Sequence, residues 1–379
     1  MIIGVPGNRI DEETRAAVTP PVAQELTDAG LRVLVREGIG IDAGWADSDY
    51  RETGCDILSS TTAVIDRSDI LVFVRTLGTT PDPDPSLFAE DQTVIGMLGP
   101  YQLDAEYEAL AAQGVSAFAL ELLPRISRAQ SMDVLSSMGS LAGYKSAIVA
   151  AEALPKIFPM QMTAAGTVRP ADVFVVGAGV AGLQAIATAN RLGASVEAYD
   201  IRPEVKEEVE SLGGTFLEID LETDETSDDE GYAEEQEEAF LREQQLMMER
   251  TVANADVVIT AASVPGKPSP ELVTAEMIDG MDPGSVIIDL GAAGGGNCGP
   301  TEPGEWVTYN GVEIFGPTNL PATVPHHASQ LYANNVQAFI EHLLETDELV
   351  IDTDDEIIDS TLLTHDGTAR TPHLTEESA

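Results

Sequence analysis

The sequence predicts an α/β protein of two domains, each built on a parallel sheet, separated by a cleft and linked by long helices. Three observations carry this reading. Short apolar runs alternate with helix-period stretches along most of the chain, as βαβ units require. A glycine-rich turn, Gly177-Ala178-Gly179-Val180-Ala181-Gly182, joins one such run to one such stretch. Finally, 379 residues with 43% hydrophobic content suffice for two cores.

Taken in order, residues 2–5 read as a short strand. Thr19-Pro20-Pro21 opens a helix, with Thr19 at the N-cap and proline in the first turn, where no N–H is needed. Strands are expected at 32–35, 70–74, 93–98 and 116–120, and a helix at 105–113 is stopped by Gly114. Residues 124–130 break the pattern, and helical spacing then runs from 132 to 153, ended by Pro155 and Pro159. Further strands are expected at 173–176, 195–199, 257–260, 286–290 and 313–315, and a helix at 328–344 would return the chain to the first domain. The expected division is 1–126 plus 328–379, an N-terminal domain with its return helix and acidic tail, and 127–327, which carries the glycine turn and the linking helix. Two acid-rich stretches read as unpacked: the first half of the block at 220–242 as a mobile surface loop with Gly231-Tyr232 at its tip, and 345–379 as a linker or partly disordered tail.

The glycine turn has the G-x-G-x-x-G form and the right neighbours. Gly177 allows the tight turn, Gly179 lets backbone N–H groups approach a pyrophosphate, and Gly182 lets helix pack on strand. The helix N-terminus turns its positive end to the phosphates. Asp200 ends the next strand, 18 residues after Gly182, where a carboxylate bonds both hydroxyls of an adenosine ribose and repels a 2′-phosphate. A Rossmann domain selective for NAD(H) over NADP(H) follows from these residues. A mobile loop bearing Tyr232 beside such a domain would serve as a lid.

Charge excludes other classes of partner. The chain carries 65 acidic against 19 basic residues, a net −46, which opposes binding to nucleic acid or to an anionic membrane. The acid is spread along the chain, as in a protein of a high-salt cytoplasm, where about 1 M salt shortens the screening length to about 3 Å. No run of 18 apolar residues is present, so no direct membrane insertion is expected, and the first residues lack a basic signal-type start. Cys55 and Cys298 are far apart in sequence and His326-His327 has no partners at metal spacing, so no metal site is expected and the setting reads as reduced and cytoplasmic.

Several stretches together resemble the NAD(H)-binding part of the α subunit of proton-translocating NAD(P) transhydrogenase. They are P-R-I-S-R-A-Q-S-M-D at 124–133, G-V-A-G-L-Q-A-I-A-T-A at 179–189, E-G-Y-A at 230–233, P-G-K-P-S-P at 265–270, P-G-S-V-I-I-D-L at 283–290, G-G-N-C at 295–298 and D-D-E-I-I-D-S-T-L-L-T-H-D-G at 354–367. The resemblance implies that Arg125, Gln130, Asp133 and Ser136 surround the nicotinamide end, with Gln130 reaching toward an NADP(H)-bearing partner. It implies that Ala178, Gly179 and Val180 line the pyrophosphate, and that Asp200, Ile201 and Arg202 flank the adenosine ribose. Gly231, Tyr232 and Gln244 would close over the cofactor, with Ser263 where the family often has an aliphatic residue. It further implies a homodimer at the inner face of the cell membrane, working with a separate membrane-embedded proton-channel subunit and a separate NADP(H)-binding subunit.

Alanine dehydrogenase is the sharpest rival, because E-T-R-A-A-V-T-P at 13–20 occurs in similar form there and Arg15 could hold a substrate carboxylate. Amino-acid oxidation needs a general acid/base and a carbonyl polariser. The rival family's lysine position is Phe73 here, and 94–100 contains no histidine. Hydride transfer between two nicotinamides needs no proton transfer at the reacting carbon, only aligned rings and excluded water. A non-catalytic NAD-sensing subunit is the reading from another class.

Overall fold

The computed structural model describes residues 1–7, 10, 12–80, 83–101, 104–219, 230–263, 266–345 and 348–370. It divides into two compact units: residues 1–138 with the chain from 321 onward, and residues 139–320.

In the first unit β1 (Ile2–Val5), α1 (Pro20–Asp28), β2 (Arg32–Arg36), α2 (Asp47–Glu52), β3 (Asp56–Leu58), α3 (Thr61–Ile65), β4 (Ile70–Arg75), β5 (Thr93–Met97), α4 (Asp104–Ala112) and β6 (Ser116–Ala119) follow in order. The six strands pair in parallel in the order β3-β2-β1-β4-β5-β6. The order reverses between β1 and β4, which makes that point a crevice at the carboxyl ends of the strands. β4 is buried along almost its whole length, which is why I-L-V-F-V carries no polar alternation.

α5 (Val134–Ala153) follows, and the chain passes into the second unit inside it. The sequence places the changes of domain at 126/127 and 327/328; the units change at 138/139 and 320/321. A break in hydrophobic pattern marks a loop, and a continuous helix can cross a boundary without any such break. In the second unit come an exposed antiparallel hairpin of β7 (Gln161–Thr163) and β8 (Gly166–Val168), then β9 (Asp172–Val176), α6 (Val180–Arg191), β10 (Ser195–Tyr199), α7 (Lys206–Ser211), β11 (Thr215–Phe216), α8 (Glu230–Asn254), β12 (Val257–Thr260), α9 (Ala275–Ile278), β13 (Val286–Asp289), β14 (Trp306–Tyr309) and β15 (Val312–Phe315). The sheet runs β11-β10-β9-β12-β13-β15-β14 and is parallel except for the edge strand β14. Its two faces bury separate cores, one around Val173, Val175, Ile186 and Ile259, the other around Phe174, Val258, Met248 and Val252. The second of these bears on the acidic block at 220–242, whose first half is expected as a loop with Gly231-Tyr232 at its tip. From Glu230 the backbone is helical, because Met248 and Val252 lie four apart and dock the end of α8 on the sheet. Residues 220–229 lie outside the described residues.

The chain returns through α10 (Pro325–Leu343), β16 (Leu344–Glu345), β17 (Glu348–Leu349), α11 (Glu356–Thr361), β18 (Leu362–His365) and β19 (Thr368–Ala369). The expectation of a linker or disordered tail fails up to residue 370. β18 pairs antiparallel with β6 and extends the first sheet, and Ile357, Ile358, Leu362 and Leu363 are buried. Acidic flanks hide this short apolar block from a reading based on net charge. Among the described residues no helix is long and apolar enough to cross a membrane.

Candidate functional site

The glycine turn of the second unit has the geometry its sequence implies. Gly177 has φ +95°, and its N–H donates to the Tyr199 carbonyl at 2.8 Å. A Cβ there would lie 2.9 Å from the Ala261 carbonyl carbon, so the segment after β12 passes directly against the turn. A Cβ at Gly182 would lie 1.8 Å from the Gly177 carbonyl oxygen, so helix and strand meet only through glycine. A Cβ at Gly179 would meet nothing within 4 Å, and no side chain caps α6 at this N-cap position. An open approach to uncapped N–H groups at a helix start is what an anion needs. Val180 and Ile201 are exposed on either side of the turn, and Ala178 is buried beneath it.

Asp200 ties the turn to the strand beside it. Its Oδ2 accepts from the Ala178 N–H at 2.7 Å and from Arg202 Nη2 at 3.0 Å; its Oδ1 accepts from Arg202 Nε and the Arg202 N–H, both at 2.9 Å. Burial alone would raise the Asp200 carboxyl, but the Arg202 guanidinium and the two backbone N–H groups outweigh it and hold the group below the usual carboxylate range. Asp200 therefore stays charged and offers acceptor capacity only. A ribose hydroxyl can donate to it, and a 2′-phosphate cannot.

The sequence reading missed the support beneath this turn. Asp289, fully buried, accepts from Thr260 Oγ1, Thr301 Oγ1 and the N–H groups of Gly291, Asn297 and Cys298 at 2.8 to 3.0 Å. Asn297 then holds Ala262, donating to its carbonyl at 2.7 Å and accepting from its N–H at 3.2 Å. Ala262 is the neighbour of the residue packed on Gly177, so the glycine run at 294–296 works through this scaffold. An acid closing a buried strand before a glycine run was the available signal. Ser263 is exposed on the same segment, and Gln244 is half-buried on α8. Gly231 and Tyr232 fall in the first turn of α8, not at a loop tip; their side chains lie outside the described residues.

In the first unit, residues 127–132 form a tight 3-10 turn. Ala129 and Met132 point inward and are buried, while Arg125 and Gln130 are exposed. Asp133 opens α5: its Oδ1 accepts from the Ser136 N–H at 2.8 Å and its Oδ2 from Ser136 Oγ at 2.5 Å. The Ser136 hydroxyl spends its proton on Asp133, so the pair presents only acceptors to a ligand. That suits an amide N–H or a ribose hydroxyl and gives no proton donor. The structure thus brings Asp133 to Ser136, and joins Ala178, Asp200 and Arg202.

Two observations bear on the rival chemistry. Phe73 is buried in the core and packs edge-on against Phe88. Arg15, 2% exposed, makes a two-point ion pair with Glu13, Nε to Oε1 at 2.6 Å and Nη2 to Oε2 at 2.5 Å.

With this geometry in place, comparison with known proteins is direct. Residues 4–142 match the model of the alanine dehydrogenase/PNT N-terminal domain, and residues 146–372 match the C-terminal domain of the same family. The chain belongs to the alanine dehydrogenase/PNT family. It is 42% identical to an NAD(P) transhydrogenase subunit alpha chain of Rhodospirillum rubrum, over 100% of both chains. Among solved structures it superposes on a transhydrogenase from Sinorhizobium meliloti with TM-score 0.86 and 38% identity, covering 98% of this chain and 100% of that one. An L-alanine dehydrogenase structure gives TM-score 0.81 and 26% identity, covering 98% and 97%. Two α/β units with mostly parallel sheets are shared with both. The higher identity lies with the transhydrogenase α subunits.

Proposed function

We propose that this chain is the NAD(H)-binding subunit of an NAD(P) transhydrogenase, passing a hydride between NAD(H) and an NADP(H) held by a partner subunit. The observation that carries the reading is full-length 42% identity to a transhydrogenase α subunit, joined to a glycine turn whose charged Asp200 offers acceptor capacity only. The open N-terminus of α6 fits a pyrophosphate, and Asp200 with Arg202 and Ile201 fits the adenosine ribose. Arg125, Asp133 and Ser136 hold the carboxamide and ribose at the nicotinamide end, and Gln130 faces the partner's nucleotide. Gly231, Tyr232, Gln244 and Ser263 complete the enclosure.

The cofactor supplies the hydride; the residues bind, orient and exclude water. No acid/base is required, which agrees with a core phenylalanine at position 73 and an Arg15 already engaged by Glu13. The enzyme would act only in an assembly: a homodimer of this chain, an NADP(H)-binding subunit, and a membrane-embedded subunit that couples transfer to proton movement at the inner face of the membrane. The β7–β8 hairpin supports the dimer. Its residues are all exposed, Met162 (74% exposed) among them, with Met160 beside it, an apolar surface that a second copy would cover.

The test is to mix the chain with a candidate NADP(H)-binding subunit in molar salt and follow reduction of an NAD analogue by NADPH. The control is the chain alone with NADH, pyruvate and ammonium. Turnover only with the partner supports the reading. Turnover in the control would replace it with an amino-acid dehydrogenase, and silence in both with NADH still bound would replace it with a sensing subunit.

A further inference from the structure

The C-terminal return segment touches the 127–132 turn at two points. Asn335, on α10, donates from Nδ2 to the Ser131 carbonyl at 2.7 Å. Asp355, the N-cap of α11, accepts from Arg128 Nη1 at 3.0 Å while its other oxygen accepts from the N–H groups of Ile357 and Ile358 and lies 3.2 Å from His342 Nε2. The helix that carries Asn335 is itself fixed to the sheet. Tyr332, one turn earlier on α10, donates to the carbonyls of Phe73 and Val74 at the end of β4, at 2.8 and 3.2 Å. A rigid bridge therefore runs from β4 through Tyr332 and Asn335 to the backbone of the turn.

Asn335 is an expensive residue for the fold to keep. It is 7% exposed among Val336, Phe339 and other buried apolar groups of α10, and among the described residues its Oδ1 has no hydrogen-bond partner. A buried acceptor left unpaired destabilises. The carbonyl it serves belongs to Ser131, an exposed residue, and the bond itself is part-buried. The amide meets one partner and strands its other polar atom, so the hold on the turn is made at a cost to the fold.

We propose that Asn335, assisted by Asp355, is a positioning residue for hydride transfer: it fixes the height and rotation of the 127–132 turn, and through it Gln130. The inference rests on the transhydrogenase reading and adds to it a role for the return segment. Gln130 is exposed, and its direction is set by the buried pegs Ala129 and Met132 and by the hold on the Ser131 carbonyl. Small displacements matter at a reacting pair, where about 1 Å can cost about 100-fold in rate.

The experiment uses the full chain and Asn335→Leu, with Asn335→Gln as the conservative variant and Asp355→Asn, which keeps a capping side chain but drops the charge opposite Arg128. Asn335→Leu removes the orphan acceptor and should leave the melting temperature equal or higher. Its NADH dissociation constant should change less than about 3-fold, while amide exchange at residues 127–133 speeds by about 10-fold and transfer to the partner's nucleotide slows by about 10-fold. Asn335→Gln, which can still reach the carbonyl, should recover part of the rate, and Asp355→Asn should show the same pattern more weakly. A lower melting temperature with rate and NADH affinity falling together would make Asn335 merely structural and overturn the proposal, as would unchanged exchange at 127–133. If the unaltered chain never turns over with a partner, the transhydrogenase reading fails, and the exchange data still decide whether Asn335 holds the turn.

Discussion

At the residue scale, the proposed selectivity for NAD(H) rests on Asp200. Its carboxylate is paired with Arg202 and has acceptor capacity only, so in that reading it takes a ribose hydroxyl and cannot take a 2′-phosphate. Asp200→Asn should weaken NADH binding by about 10- to 100-fold, the worth of a hydrogen bond to a charged group, and should narrow the gap between NADH and NADPH. Titration of both nucleotides by fluorescence checks this; unchanged selectivity would remove Asp200 from the role. Gln130→Asn shortens an exposed side chain that supports nothing in the fold. It should spare NADH affinity and slow transfer, and an equal loss in both would make Gln130 a binding residue only. Asp200, the glycines and the turn at 124–133 were legible because each is a local pattern. Asn335 and Asp289 were not, because their partners lie far along the chain: Asn335 bonds Ser131, and Asp289 gathers Thr260 and residues up to Thr301.

At the element scale, α5 and α6 meet at Gly143, where a Cβ would sit 2.0 Å from the Ala181 carbonyl oxygen. Gly143→Ala must push the first turn of α6 away, at a cost of about 1–3 kcal/mol, and NADH affinity should fall with it; denaturant unfolding and nucleotide titration read the two effects. The N-cap of α11 gives a second test. Burial opposes the charge on Asp355, but Arg128, His342 and two backbone N–H groups bring its carboxyl down to about 2. A depressed acid stabilises the fold above its unfolded value near 3.9, and the stabilisation fades as pH falls toward about 2. Asp355→Ala should therefore cost about 1 kcal/mol near neutrality, a typical cap, and the difference from the unaltered chain should shrink below about pH 4. The strands at 70–75, 93–97, 173–176 and 257–260 were readable from sequence because strands buried on both faces are apolar throughout. β3, the β7–β8 hairpin, α8, α11 and β18 were not. Each is short, exposed or wrapped in acid, and each is fixed by a neighbour that local pattern does not name.

At the scale of the whole molecule, a net charge of −46 dominates. Among the described residues the ion pairs are few and mostly exposed, so pairwise attraction does not offset the repulsion. Salt should: raising it from about 0.1 M to about 1 M shortens the screening length from about 10 Å to about 3 Å. The melting temperature should rise by many degrees across that range, measured by calorimetry. A flat response would leave the acidic surface without the high-salt role assigned to it.

The sequence by itself determined the class of fold, the glycine turn with its acid, and the family. These are short-range facts, set by residue type at fixed spacing, and a linear reading captures them. Only the tertiary structure decided that the acidic C-terminal stretch completes the first sheet, that Asp200 is shared between Ala178 and Arg202, and that α10 holds the turn bearing Gln130. Such facts depend on which distant backbone groups meet in space, and long-range packing of apolar side chains brings them together.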